Sequence, residues 1–361
     1  MLKRIKILQI VDSLDIGGTE RVSANIYNEL TKNGVDTVLI VTRNIGPLYK
    51  DLVNHHKVIL LNKNHSLSII AFIRLIKIVN KYRPAIIHVH QTSVYWAVLI
   101  KLLKPSIILI WHDHWGNSDL LKDFDRKLIR FLSRFFNAVI CVNEKIRGWN
   151  IRNLKLKKDF IVYIPNFTSL VIENNSKQSI PVILCLANIR EQKDHTNLLK
   201  ACFILKKNGL PFELRLAGSM VDQSWVVKIK NKVIELGLSQ EVVFLGPIDD
   251  AGKVLGSADI GVLSSESEGL PVALLEYGMA GLPVVTTDVG QCKEVLGNGK
   301  FGWVVPPKDS EALAKALSEV LKDKEKAFNK AVLFQKHVAE EYGAKKFLTG
   351  YLNLLKTILK N

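Results

Sequence analysis

The stretch SESEGLPVALLEYGMAGLPVV, residues 265–285, decides the fold. Pro271 suits the first position of a helix, Gly281 the left-handed residue that stops one, and Pro283 bars its continuation. A short helix over 271–280 is therefore expected, followed at once by an apolar strand, PVVTT. The helix is apolar nearly all the way round, which fits burial against a sheet. Yet Glu276 shares a face with Val272 and Met279. A carboxylate on such a wall is costly unless donors surround it. It requires either an internal salt bridge or a ligand. Glu268 stands at the carboxyl end of the strand DIGVLS, and Gly269, Leu270 and Pro271 bring backbone amides to a helix N-terminus beside it. In parallel sheets, ligands bind at such strand ends.

The same strand and helix grammar runs along the whole chain. IKILQIV, DTVLIV, KVILL, AIIHVH and SIILIW alternate with helical runs such as IIAFIRLIKIVNKY and VYWAVLIKLLK. Strands apolar on both faces signal a parallel sheet covered by helices. After Pro165 and a polar stretch the pattern restarts with IPVILCLAN, a helix from about His195 to Lys207, FELRLAG, VVFLG and DIGVLS. The chain is read as α/β, with two doubly wound Rossmann-like domains facing a central cleft. The boundaries are 1–165 and 166–341, and a last amphipathic helix over 342–361 packs back on the first domain. Its stripe is Phe347, Leu348, Tyr351, Leu354, Leu355 and Ile358.

The chain has 361 residues, and 48% of them are hydrophobic, enough for two real cores. The four cysteines are scattered without C-x-x-C spacing, which argues against a disulfide framework or a structural zinc site. Asp12 interrupts the opening apolar run too early for a signal peptide. Arg74 and Lys77 break the longest apolar stretch, so no membrane span is expected. Charge is unevenly placed: the net charge is +16 overall, of which residues 1–165 carry +14. The first half faces something anionic.

A Glu, seven residues and a second Glu, as Glu268-GLPVALL-Glu276, followed by GMAGLPVVTTDVGQCKEVL, resembles the signature of glycosyltransferase family 4. DSLDIGGTERV, AIIHVH, the WHDHW segment, IPN at 164–166, LANIREQKDH at 186–195 and GWVVPPKD at 302–309 extend that resemblance over the chain. It implies the GT-B fold and a retaining hexosyltransferase that moves a sugar from a nucleotide sugar to an acceptor hydroxyl. By resemblance, Glu276 holds the ribose, while Glu268 with Gly269 and Leu270 holds the donor sugar. Lys193 neutralises the donor diphosphate. Asn188 stands where many members have an arginine, and Arg190 lies two residues on. The Gly17-Gly18 loop matches one that closes over the donor phosphates, where amides without side chains approach closely. His112 matches a histidine beside the transferred sugar, and His90 and Asp113 are placed toward the acceptor.

The resemblance implies no cofactor and no metal, with a UDP-sugar favoured over a GDP-sugar. His88 with His90, and His112 with His114, have spacing that raises a metal hydrolase, but carboxylate ligands are not evident nearby. Asp123-Phe124-Asp125 opens a helix, where carboxylates favour the dipole. In that helix Leu128, Phe131, Leu132, Phe135 and Phe136 form one stripe. It reads first as core-facing and second as a basic amphipathic surface for anionic lipid. The expected role is cell-surface polysaccharide, lipopolysaccharide or lipid-linked glycan synthesis, cytoplasmic and peripheral at the inner face of the cell membrane. Nucleic acid is not expected, because no such module is present. A nucleotide-sugar epimerase of the same fold and a noncatalytic sugar-nucleotide or lipid-surface binding protein stand as alternatives.

Overall fold

The computed structural model describes residues 5–15, 17–65, 68–114, 126–168, 172, 179–248 and 250–360. The chain divides into two compact units, one of Met1–Phe167 with Ala344–Asn361, the other of Thr168–Gly343.

Unit one runs β1 (Lys6–Ser13), α1 (Gly18–Lys32), β2 (Asp36–Asn44), β3 (Val58–Leu60), α2 (Ile69–Tyr82), β4 (Ile86–His90), α3 (Val94–Leu103), β5 (Ile108–Asp113), α4 (Lys127–Leu132), β6 (Ala138–Cys141), α5 (Glu144–Asn153) and β7 (Ile161–Tyr163). The seven strands are parallel in the order β3-β2-β1-β4-β5-β6-β7. Alternation divides their side chains between two faces. Leu8, Ile10, Ile87, Val89, Leu109 and Trp111 point into one core with α2, α3, α4 and α5. Gln9, His88, His90 and His112 point to the other face. β4 and β5 pair with His90 opposite His112, which sets these histidines side by side.

Unit two runs β8 (Val182–Leu186), α6 (His195–Lys207), β9 (Glu213–Ala217), α7 (Gln223–Glu235), β10 (Val242–Gly246), α8 (Ala251–Gly256), β11 (Ile260–Leu263), α9 (Val272–Met279), β12 (Val284–Thr287), α10 (Cys292–Val295), β13 (Trp303–Val305), α11 (Ser310–Lys322) and α12 (Lys324–Glu341). Its six parallel strands are ordered β10-β9-β8-β11-β12-β13. The order reverses between β8 and β11, the switch point at which such sheets bind ligands. Asp194, Asp222, Asp250, Asp309 and Asp323 cap α6, α7, α8, α11 and α12 with their own carboxylates. Each cap satisfies an amide that the helix leaves open. The chain ends in α13 (Ala344–Lys360), which belongs to unit one and buries Phe347, Tyr351, Leu354, Leu355 and Ile358.

Two sequence expectations change. Pro271 is the N-cap of α9, with extended backbone at φ −72 and ψ 120, and the helix begins one residue later. The aromatic stripe after residue 126 does not face the core as a unit. Leu128 and Phe131 are exposed, while Ile129 and Phe136 are buried. The buried positions Arg126, Ile129, Ser133 and Phe136 still recur every three to four residues through the 3-10 turn over Ser133–Phe135, but two of them are polar, so the covered face is not the apolar stripe. Asp123-Phe124-Asp125 lies outside the described residues. β6 and β7, four and three residues long, escape the periodic pattern.

Candidate active site

In unit two the opening stretch forms a wall and a loop at the switch point. α9 is apolar all round because it is buried on two sides. The Tyr277 ring sits against Gly261 of β11, and Gly278 sits against Phe334 and Val338 of α12. The Tyr277 hydroxyl accepts from the Leu186 amide at 2.7 Å and lies 3.1 Å from the Leu184 carbonyl and 3.2 Å from that of Val262. These contacts pin α9 to β8 and β11, and with it the neighbouring Glu276, which is 4% exposed. Gly281 takes φ +67 at the helix end, a conformation glycine reaches without steric cost.

The loop from Ser264 to Leu270 is clamped from three sides. Ser264 Oγ donates to the Lys193 carbonyl at 2.9 Å, and the Glu266 amide donates to the Gln192 carbonyl at 2.8 Å. Thr287 Oγ1 donates to the Ser265 carbonyl at 2.7 Å. Gly290, at φ +53, passes so close that a Cβ there would lie 2.4 Å from the Glu268 carbonyl oxygen. This clamping places Glu268, 6% exposed, beside Lys193: Nζ to Oε1 is 2.6 Å, and Ser265 Oγ donates to the same oxygen at 2.7 Å. One charge comes from the end of β8 and the other from the end of β11. Asn188 uses its Oδ1 to accept the Ser219 amide at 2.8 Å, while Arg190 is exposed. Cys185 and Cys292 are buried near this pair, and burial pushes both thiols up to about 12. They are inert spacers at neutral pH. A surface depression of about 660 Å³ in the same unit is bounded by Asp288, Trp303, Lys326 and Lys330. Neither Glu268, Glu276 nor Lys193 lines it, so it lies apart from this chemistry.

In unit one, Gly17 is the N-cap of α1 in an extended conformation. At Gly18 an added Cβ would meet nothing within 4 Å. Packing within the chain therefore does not demand glycine there. The histidine face lies nearby in the fold. His88, His90, His112 and His114 are all buried, and burial pushes His88 and His114 down to about 3 and the other two well below their ordinary value. They are neutral, and their protons can be traced. Gln9 Nε2 donates to the Ser23 carbonyl at 2.7 Å, which fixes the amide orientation, and lies 3.1 Å from His90 Nε2. That ring nitrogen must accept, so the His90 proton is on Nδ1, 2.9 Å from His114 Nε2. A second chain joins Tyr351 Oη to His88 Nδ1 at 3.3 Å and His88 Nε2 to His112 Nδ1 at 3.3 Å, leaving His112 Nε2 with no protein partner. α13 covers this face with Tyr351 stacked on His88 and Phe347 on His112.

His88, His90 and His112 also bring ligand nitrogens within 4.8 Å of one another. The group contains no carboxylate, so a divalent ion would bring uncompensated charge into a fully buried place. Asp113 is on the opposite face of β5 from His90 and His112. It accepts from Arg126 Nη2 at 2.8 Å and Asn150 Nδ2 at 2.9 Å, with the Arg126 guanidinium between the Trp111 and Trp149 rings. Alternation along the strand separates it from the histidines. The sequence reading gave no site role to Asp12, the last residue but one of β1, which gathers Thr42, Thr92 and Ser93 hydroxyls at 2.6, 2.8 and 3.2 Å. Burial raises this carboxyl, but the Thr42 and Thr92 hydrogen bonds and the Lys63 charge outweigh that and hold it below the usual range. Those partners come from three strand ends, which only the fold brings together.

Comparison with known proteins gives the family and the fold. The family described as Glycosyl transferases group 1 matches residues 167–331, and Glycosyltransferase Family 4 matches residues 16–170. An uncharacterized glycosyltransferase of Haemophilus influenzae is 23% identical over 94% of this chain and 96% of its own length. The N,N'-diacetylbacillosaminyl-diphospho-undecaprenol alpha-1,3-N-acetylgalactosaminyltransferase of Campylobacter jejuni is 24% identical over 75% of this chain and 76% of its own length. Among solved structures, Anabaena Alr3699/HepE in complex with UDP-glucose superposes with a TM-score of 0.82 at 17% identity, over 99% of this chain and all of that one. The chain belongs to glycosyltransferase family 4 and has the GT-B fold.

Proposed function

We propose that this glycosyltransferase is a retaining enzyme that moves a sugar from a UDP-sugar to a hydroxyl of a lipid-linked or polysaccharide acceptor, without an essential metal. The observation that carries the reading is the meeting of Glu268, Lys193 and the α9 wall bearing Glu276 at the β8/β11 switch point. Unit two then holds the donor. The two oxygens of Glu276 accept from the ribose hydroxyls. Lys193 turns from Glu268 to the diphosphate, and Glu268 with the amides of Gly269 and Leu270 holds the sugar. As the C1–O bond to the diphosphate breaks and a bond to the acceptor oxygen forms, charge grows on the departing phosphate, whose oxygen takes the acceptor's hydroxyl proton. Lys193 is aimed at that charge, and the Gly17 and Gly18 amides of unit one carry no side chain that would keep an anion away. The open space at Gly18 favours close approach by a group from outside the chain. Arg190, exposed and two residues past Asn188, is the available cation to join Lys193.

Unit one takes the acceptor, with His112, whose Nε2 has no protein partner, as its candidate contact, and with His90 held by Gln9 and His114. Asp113 contributes by holding Arg126, not by touching substrate. The Campylobacter relative's name, with its diphospho-undecaprenol acceptor, supports a polyprenyl-diphosphate carrier, and a peripheral place at the inner face of the cell membrane is proposed with it. The Anabaena complex supports UDP over GDP. A thermal-shift screen of nucleoside diphosphates and their sugars tests the reading: UDP raises the midpoint by mass action, and chelator leaves transfer unchanged. No shift with any nucleotide would sink it. Epimers formed without an acceptor would point to an epimerase of this fold instead.

A further inference from the structure

Just past the carboxyl end of β4, the backbone of Gln91 turns into the left-handed region, at φ +44. That conformation is unfavourable for a glutamine. Among the described residues of unit one, the other non-glycine positions of this kind are Asn62, a residue type that tolerates the turn, and Arg83, which closes α2. Three bonds hold Gln91 and its neighbours where they are. The Gln91 carbonyl accepts from Trp111 Nε1 at 3.2 Å, and Thr92 and Ser93 donate their hydroxyls to Asp12 of β1. Backbone strain persists only where the surroundings over-determine it, and it gathers at functional sites.

The turn sends the Gln91 side chain across the edge of the sheet. Its Nε2 donates to Thr19 Oγ1 at 2.6 Å, although 72 residues separate the two. Thr19 is the second residue of α1, directly after Gly18. β1 and β4 are neighbours, and the strand order reverses between them. The bond therefore ties together the two strand ends at the switch point of the unit-one sheet. α1 begins with two glycines, so side chains at 17 and 18 cannot fix its path, and a Cβ at Gly18 would meet nothing within 4 Å. Gln91 supplies an anchor one residue on.

We propose that Gln91 is a positioning residue for the Gly17-Gly18 loop: held in its left-handed turn, it fixes the two glycine amides through Thr19. The inference rests on the reading above that this loop meets the donor diphosphate, and it adds the device that keeps the amides in place before substrate arrives. Donors fixed in advance stabilise growing charge because they need no reorientation as the reaction proceeds. Asparagine or glycine would adopt the turn with less strain. Asparagine ends one carbon short of Thr19, and glycine has nothing to reach with. The strained residue is thus the one whose side chain spans the gap.

Calorimetric titration of the full chain with UDP and with UMP tests it, since the two differ by the β-phosphate on which the leaving charge grows. The wild type prefers UDP. In Gln91→Asn the thermal midpoint holds or rises, because the turn is relieved, while the preference for UDP narrows by about fivefold, the worth of one hydrogen bond. Thr19→Val, which removes the accepting oxygen, narrows it equally, and the double variant narrows it no further. Thr19→Ser keeps both the oxygen and the preference. An unchanged preference in Gln91→Asn and Thr19→Val would overturn the proposal. So would an equal loss of UDP and UMP affinity with a falling midpoint, which marks a contact that only supports the fold. A wild type that binds both nucleotides alike would take this role from the loop and leave the donor site of unit two standing. One that binds neither would remove the transferase reading as well.

Discussion

Lys193 Nζ lies 2.6 Å from Glu268 Oε1, although 75 residues separate them in the chain. The cation proposed for the diphosphate is thus neutralised, before substrate arrives, by the carboxylate proposed for the sugar. Glu268→Gln releases that ammonium. UDP affinity is expected to hold or rise, while turnover falls by about a hundredfold. Calorimetric titration with UDP beside steady-state kinetics separates the two. A parallel loss of both would show that the pair acts only as a structural strut.

Glu276→Ala is expected to weaken UDP binding by about tenfold to a hundredfold, the worth of charge-assisted hydrogen bonds. The sharper measurement uses 2′,3′-dideoxy-UDP. Wild type should prefer UDP to the dideoxy analogue, and Glu276→Ala should bind the two alike. A preference that survives the substitution would place the ribose elsewhere.

The buried histidines make stability depend on pH. Each stays neutral in the fold, while the unfolded side chain gains a proton near 6.5. Their contribution is complete above about 6.5 and is lost as pH falls toward about 3, the value for His88 and His114. At a pH of about 5, each of these two removes about 2 kcal/mol. The thermal midpoint should drop steeply between neutral pH and 5, and less so in His88→Gln. A flat profile would contradict burial of the rings.

Tyr351, His88 and His112 hold three protons but form two hydrogen bonds, so one donor is always left over at an end of the chain. Tyr351→Phe removes one proton and one bond together, so two protons remain for the single His88–His112 bond, at a loss of about 1 kcal/mol for the missing bond. Ring nitrogen shifts in histidine NMR should move at His88, whose Nδ1 loses its partner, and through it at His112. Unchanged spectra would mean the three groups are not linked in solution.

Gly261→Ala tests how α9 is held. The new Cβ would lie 2.5 Å from Tyr277 Cγ, and that ring cannot turn aside while its hydroxyl is bonded to β8 and β11. Overpacking of this kind costs about 1 to 3 kcal/mol. A urea titration that moves by less would show that α9 can lift away from the sheet.

What the sequence discloses follows the range of the interaction. α6 is legible to the residue, because Asp194 caps it and its apolar positions keep their period. The stop of α9 is legible because Gly281 and Pro283 act locally. Glu268 and Glu276 are legible as a motif, since a fixed spacing along one loop and helix survives in one dimension. The Lys193–Glu268 pair is not, and neither is the Tyr351–His88 contact, 263 residues apart, because only the sheet order brings them together. Leu128 and Phe131 were misleading for another reason. The covered face there carries Arg126 and Ser133 beside Ile129 and Phe136, so counting apolar residues points to the wrong side.

The placement of α13 has a consequence for synthesis on the ribosome. Unit two, Thr168–Gly343, is one continuous segment, whereas unit one needs residues from both ends of the chain. A nascent chain therefore exposes the histidine face of unit one throughout the translation of unit two. Phe347 and Tyr351 reach it only after the second unit has emerged. The first unit to be made is the last to be finished, and during that interval its half-covered sheet is the part of the molecule most in need of a chaperone.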